Sequence, residues 1–451
     1  MFRFLSNSTR PGRLFVMLLL AVLCLALPLS AFAAKKKNAA PAAAPELGPR
    51  KFPFDPKKLV WPSPPNIARV HWLDYFVGMK IDYAALSSKN KPKQTWMDRL
   101  AGGPTAGESV NPKTFPYQMI GPVGIAFDSK GLVYVADQKV GAIFIYNTEN
   151  HDTQLIRNGY EAHFGWINGL AMDDDDRLFV ADGKLRRVLV FNAKHDVEGT
   201  ISEGMADPNG LAIDTTNRFL YVVDTQQDQV LVYDADTFKL LRRIGTGGKN
   251  HFLTTPGDLA APQGVALDKD GNVYVTDTLN DRVEIYDADG NFISAFGKNG
   301  DGPGYFARPK GIAIDSDGHI WVADQVQDRL QVFNREGQLL TWIGTGHGEL
   351  PGQFNVLVNV AIDKKDHVFT AEQYPGRMQM FQYVTDADAA AEKTKQEDAR
   401  AKAAEERNNK GGAAATPEKP AAATPDKPAE ATPEKVPETS APANAPAPKT
   451  P

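Results

Sequence analysis

Residues 309–333, PKGIAIDSDGHIWVADQVQDRLQVF, decide the fold. The stretch opens on Pro-x-Gly and a short apolar run, then turns through Asp315-Ser316-Asp317-Gly318. A second run, Ile320-Trp321-Val322-Ala323, closes on Asp324; a polar turn, Arg329 and a third run ending at Phe333 follow. Short apolar segments bounded by Gly/Asp turns read as consecutive antiparallel strands. One such unit cannot bury both faces of its own sheet, so the fold rests on partners elsewhere in the chain.

The chain supplies five more copies. An acid precedes the first turn at Asp128, Asp173, Asp214, Asp268, Asp315 and Asp363, and an acid closes the second strand at Asp137, Asp182, Asp224, Asp277, Asp324 and Glu372. Between them stands an aromatic: Tyr134, Phe179, Tyr221, Tyr274, Trp321 and Phe369. Another ends the third strand at Tyr146, Phe191, Tyr233, Tyr286, Phe333 and Phe381. Copies spaced by roughly 41 to 54 residues mark a repeat architecture, with room for four strands each.

At these residues the repeats resemble the NHL family, most fully in residues 262–286 and 309–333. Copy two departs with Ile167 in place of Pro, and copy six with Asn359 for Gly and Glu372 for Asp. The resemblance spans about three-fifths of the chain and implies an all-β fold, a six-bladed β-propeller. Propellers host enzymes, binding platforms and scaffolds alike, so the fold leaves function open. The Pro-rich lead-in and the insert described below also resemble exported bacterial NHL proteins.

Composition divides the rest. Residues 1–33 carry Arg3, Arg10 and Arg13, an apolar run and Ala31-Phe32-Ala33, the pattern of a signal peptide cleaved after Ala33. A periplasmic or secreted protein is expected, with no stable membrane span after cleavage. Residues 34–67 form a Pro/Ala/Lys-rich linker. Residues 68–384 form the propeller, in which the strand around Val70–Phe76 is expected to pair with the last copy and close the ring. An insert at 77–117 and the Gly-rich connections 245–261 and 297–307 are expected on its top face. Residues 385–410 are charged and of helical composition. Residues 411–451 repeat Thr-Pro-acid-Lys at Thr416, Thr424 and Thr432, and a disordered tail is expected. The closed ring is expected to be a monomer.

The net charge of −5 gives no basic footprint for nucleic acid. Cys24, the single cysteine, lies in the signal segment, so the mature chain has neither disulfide nor thiolate metal site. No Gly-x-Ser-x-Gly nucleophile motif occurs. Four of the strand-closing acids precede an arginine by five residues, predicting a structural brace within the blade: Asp182 with Arg187, Asp277 with Arg282, Asp324 with Arg329, and Glu372 with Arg377. The Asp-x-Asp-Gly turns at Asp268, Asp287 and Asp315 lack the remaining ligands of a calcium loop and read as hairpin turns.

Function is sought where the copies differ. The residue before each repeat Gly converges on the mouth of the central channel: Val123, Asn168, Asn209, Gln263, Lys310 and Val358. The NHL-like amidating lyases place histidines there, and this chain has none at these six positions. Asp207-Pro208-Asn209-Gly210-Leu211 and Ile167-Asn168-Gly169-Leu170 resemble the metal-binding Asn-Gly-Leu motifs of gluconolactonase-like propellers. That resemblance implies Asn168 and Asn209 as ligands of a divalent cation in a hydrolase or lactonase. Two amides without a carboxylate suit a hard cation poorly. Asn168, Asn209, Gln263 and Lys310 fit a small polar or anionic ligand better, with no cofactor. The reading is an exported protein-binding or scaffold module of the cell envelope, without an evident catalytic site; the alternative is the divalent-metal hydrolase.

Overall fold

The computed structural model describes residues 51–81, 116–159, 162–246 and 255–411. The expected signal segment, half of the linker, most of the insert, residues 247–254 of the connection 245–261, and the tail lie outside these residues.

Six antiparallel sheets make a six-bladed propeller. In blade 5 the order from the channel outward is Pro309–Ile314, Ile320–Asp324, Arg329–Phe333 and Leu339–Ile343. Burial follows the position of a strand in its blade. Ile320–Asp324 is buried at every residue, whereas Leu339–Ile343 alternates and the outer strand of blade 4, Phe292–Phe296, is largely exposed. A second strand covered on both faces by neighbouring blades therefore reads as a continuous apolar run, while an outer strand alternates.

The core is six layers between blades rather than one centre. Trp321 and Leu330 of blade 5 pack with Val368 and Phe381 of blade 6, and five further clusters fill the other gaps. Trp321 illustrates why an aromatic recurs at this point. Its ring meets Tyr383 edge-on at 5.6 Å, and its indole N–H donates to Asp315 at 2.8 Å, so the apolar body fills the layer and the polar edge is satisfied.

The last sheet is assembled from both ends of the propeller. Val70–Phe76 pairs antiparallel with Arg377–Tyr383, and Val60–Trp61 adds a short fifth strand outside it. Phe76, Met378 and Met380 then pack with Val135 and Phe144 of blade 1. Contact with the propeller begins before residue 68. Trp61 is buried in the layer between blades 5 and 6, its ring 5.8 Å from Phe381. A large indole buries too much apolar area to remain in a solvated linker.

Beyond the propeller, Asp386–Gly411 is a helix. Thr385 caps it, its hydroxyl accepting from the Asp388 N–H at 3.2 Å. Among the described residues no helix is long and apolar enough to cross a membrane.

Candidate functional site

The acid that ends each second strand holds the lead-in to the neighbouring innermost strand, at the end of the propeller where the channel opens. Asp137 accepts from the N–H groups of Ile120 at 2.6 Å and Gly121 at 2.9 Å. Asp182 does the same for Gly165 and Trp166, and Asp224 for Ala206 and Asp207. Asp277 receives Ala260, Asp324 receives Ala307 and Glu372 receives Asn355. A carboxylate facing backbone N–H groups makes charge-assisted bonds in a fixed direction. The repeated acid thus sets the position of the chain at the channel mouth in all six blades.

The arginine brace forms in two blades of the four. Arg282 Nε donates to Asp277 at 2.9 Å, and Arg377 meets Glu372 through Nε at 3.0 Å and Nη2 at 2.8 Å. Arg187 instead donates to the His163 carbonyl at 2.7 Å, and Arg329 to the Asp301 carbonyl at 3.3 Å. The reason lies in the turn that follows each acid. Asp182 and Asp324 already accept N–H groups from their own turns, Leu185 in one and Val326 with Gln327 in the other. The turn Thr278–Asn280 gives Asp277 no backbone cap, and Asn280 Nδ2 at 2.8 Å and Arg282 Nε at 2.9 Å share its Oδ2 instead. The Asp-x-Asp-Gly acids are also taken up locally: Asp315 accepts from Asp317 and His319 N–H, and Asp268 from Asp270 and Asn272 N–H.

The repeat glycines fix the width of the channel mouth. A Cβ on Gly169 would lie 2.2 Å from the Asn209 carbonyl oxygen, one on Gly210 2.4 Å from that of Gln263, and one on Gly264 2.4 Å from that of Lys310. Innermost strands of adjacent blades approach too closely for any side chain. In copy six Asn359 takes the glycine's place, and its amide bridges to the Val123 carbonyl at 2.7 Å. The junction of blades 6 and 1 is thus spanned by a side chain where the others use backbone contact.

The six positions singled out in the sequence line one cavity of about 460 Å³ at this mouth. Asn168 is held on both sides, accepting from Gln138 at 2.8 Å and donating to the Pro208 carbonyl at 2.9 Å. Gln263 Oε1 receives Asn209 Nδ2 at 3.2 Å and Lys310 Nζ at 3.4 Å. Burial lowers the Lys310 ammonium below the usual lysine range, and the charge on Arg308 pushes the same way. Gln138, Gln325, Gln373 and Asp207 also line the cavity. The repeat alignment centred on the first strand passed over them: the glutamines follow the strand-closing acids, and Asp207 precedes the Pro of copy three. Burial and the nearby charge of Asp224 hold the Asp207 carboxyl above its ordinary range, against the opposing pull of Arg186.

These residues do not fit a hard divalent cation. Both groups of the Asn168 amide are engaged, Asp207 is the single carboxylate lining the cavity, and Lys310 brings a positive charge to the same wall. A hard cation needs several oxygen ligands with net negative charge. Among the described residues the one tight acidic group is Asp173, Asp174 and Asp175. Arg218 bridges all three, at 3.1, 2.9 and 3.4 Å. That group is already engaged by protein, with Arg177 also on Asp173 at 2.8 Å.

The SMP-30/gluconolactonase/LRE-like family model matches residues 198–298, and a six-bladed β-propeller model matches residues 265–396. No curated protein matches the chain. Among solved structures it is similar to virginiamycin B lyase from Staphylococcus aureus, at 14% identity and a TM-score of 0.44 over 59% of this chain and 96% of that one. A gluconolactonase from Xanthomonas campestris is similar at 17% identity, TM-score 0.45, over 60% of this chain and 90% of that one. A protein of unknown function from Bacteroides thetaiotaomicron reaches 17% identity and a TM-score of 0.48 over 58% and 70%.

Proposed function

We propose that this protein is an exported binding propeller that docks a protein partner on the face bearing the channel mouth. One observation carries the reading. Ile120, Trp166, Leu185, Tyr305, Val326 and Tyr374 are large apolar residues with 36% to 62% of their surface exposed. All six sit on the lead-ins or turns gathered around the strand-closing acids. They occupy blades 5, 6, 1 and 2, which are consecutive around the ring, and so form one arc beside the mouth. Exposed aromatic and aliphatic side chains clustered on one face are the usual core of a protein interface. The expected signal peptide of residues 1–33 supports a periplasmic or secreted site of action, which a mature N-terminus at Ala34 would test.

The test is capture from envelope fractions on the purified, signal-less chain. A W166A/Y374A double variant that melts with the wild type should lose the captured partner, while changes on the outer strand of blade 5, L340A/W342A, should leave it. Hot spots, enriched in Trp and Tyr, cost about 2 kcal/mol or more each when truncated, and two of them lost together would empty the column. Retention by W166A/Y374A, or capture that depends on residues 412–451 alone, would sink the docking face.

The gluconolactonase-like match favours a second reading, a metal-dependent hydrolase using Asn168 and Asn209. With Lys310 on the wall and no set of carboxylates, calcium at about 5 mM is expected to leave the melting temperature unchanged, since no occupied site would link to folding. A calcium-dependent rise abolished by N168A/N209A would instead establish the hydrolase reading.

A further inference from the structure

Lys310 is the lysine that lines the channel mouth, and the fold satisfies its ammonium poorly. It is the second residue of the innermost strand Pro309–Ile314, and its backbone is pinned: the Thr276 hydroxyl donates to its carbonyl at 2.6 Å. Its half-buried side chain lines the cavity, and its Nζ makes one long contact, 3.4 Å to Gln263 Oε1. No acid among the described residues lies within ion-pair distance of it. An ammonium drawn out of water with a single weak partner is costly unless an anion joins it.

The surroundings are built to receive one. Gln263 already places Oε1 between Asn209 and Lys310, so the two side chains converge on one point of the wall. Gln325 and Gln373 line the same cavity. Arg308, two residues before Lys310, is exposed and adds a second positive charge at the rim, felt by both Lys310 and Asp281. The cavity volume of about 460 Å³ lies in the range of small-molecule sites. One lysine set among amides, with Asp207 the single carboxylate on the cavity wall, matches a group of low charge with a polar body. A guanidinium, the group that best matches phosphate bidentately, is not among the residues lining the cavity.

We propose that the channel mouth binds a small organic carboxylate, whose anionic oxygens meet Lys310 and whose polar body is held by Gln263, Asn209 and Gln325. The ligand enters from the same face as the proposed partner, but its binding does not require the partner or the apolar arc.

Succinate serves as the probe, titrated into the signal-less protein by ligand-observed NMR at constant ionic strength, with inorganic phosphate in a parallel arm. Saturable succinate binding with a Kd of about 1 mM or tighter is expected, a weak but specific site. K310Q should weaken it at least about tenfold, corresponding to loss of one charged contact. K365Q, on an exposed far-end turn, should bind as the wild type does. Because the change replaces a weakly partnered ammonium with an amide, K310Q should melt at or above the wild-type temperature. The proposal is overturned if succinate shows no saturation up to about 50 mM, roughly fifty times the expected Kd. It is equally overturned if K310Q binds like the wild type, or if phosphate binds through Lys310 as tightly as succinate.

Discussion

Replacing Arg377 with Met should cost about 3–5 kcal/mol of folding stability at pH 8, the penalty for leaving a buried carboxylate without its partner. Arg377 is 2% exposed and Glu372 fully buried. The guanidinium meets both carboxylate oxygens and donates to the Gln353 carbonyl at 2.7 Å, tying the loop before Leu357–Ile362 to the last blade. Gln379 continues the network: it donates to Glu372 at 2.7 Å and accepts the Trp72 indole N–H at 2.9 Å. Through Trp72 the pair reaches the N-terminal strand, so its loss loosens the sheet built from both ends of the chain. The deficit should depend on pH in a definite direction. Burial pushes the Glu372 carboxyl up to about 7 even with Arg377 and Gln379 favouring its charge. A folded-state pKa above the unfolded value contributes stability that is full below about 4.5 and is lost as pH rises through about 7. Without Arg377 the folded pKa climbs further, so the variant loses this contribution more steeply. Urea denaturation should therefore show a smaller gap between variant and wild type at pH 5 than at pH 8. A gap that is equal at both, or larger at pH 5, would mean that Glu372 is not the group left uncompensated.

The blade pattern was legible because each repeated residue serves the repeat itself. Trp321 and its counterparts fill equivalent layers between blades, and the second strands show continuous apolar runs because both their faces are covered. The strand-closing acids could be located but not fully interpreted. Their spacing to arginine suggested a brace inside the blade, yet their common partners are N–H groups some 16 or 17 positions earlier, a pairing that needs the folded turn to be seen. Whether an arginine joins depends on which N–H groups of the local turn have already taken the oxygens, as Asp277 and Asp324 show in opposite ways. At the mouth, the residues before each repeat glycine were readable as a converging ring. Gln138, Gln325 and Gln373 were not, because they enter it from the turn after the second strand. The apolar arc was equally hidden, since Trp166, Tyr305 and Tyr374 occupy loop positions with no common spacing to the repeat.

Gly264→Ala should be a highly damaging single methyl in the channel wall, costing about 3 kcal/mol, the upper part of the range for overpacking. The added carbon would sit 2.4 Å from the Lys310 carbonyl oxygen and 3.1 Å from the Thr276 hydroxyl. Neither can step aside cheaply. The Lys310 carbonyl is part of an innermost strand and accepts the Thr276 hydroxyl, while Gly264 N–H donates to the Thr276 hydroxyl oxygen at 2.8 Å. Relief requires blades 4 and 5 to separate, which strains the packed layer holding Val283, Ile312 and Phe333. The fitting comparison is Gly271→Ala, in a hairpin turn at φ +84° with its nearest neighbour 3.5 Å away. There the cost is the left-handed backbone alone, about 1–2 kcal/mol. The two variants should also separate in function. Gly264→Ala moves the strand that carries Lys310 and should weaken succinate binding, whereas Gly271→Ala, at the other end of its blade, should not. A smaller loss of stability in Gly264→Ala than in Gly271→Ala would show that adjacent blades yield at the mouth. The repeat glycine would then be a turn requirement rather than the spacer that brings Asn209, Gln263 and Lys310 together.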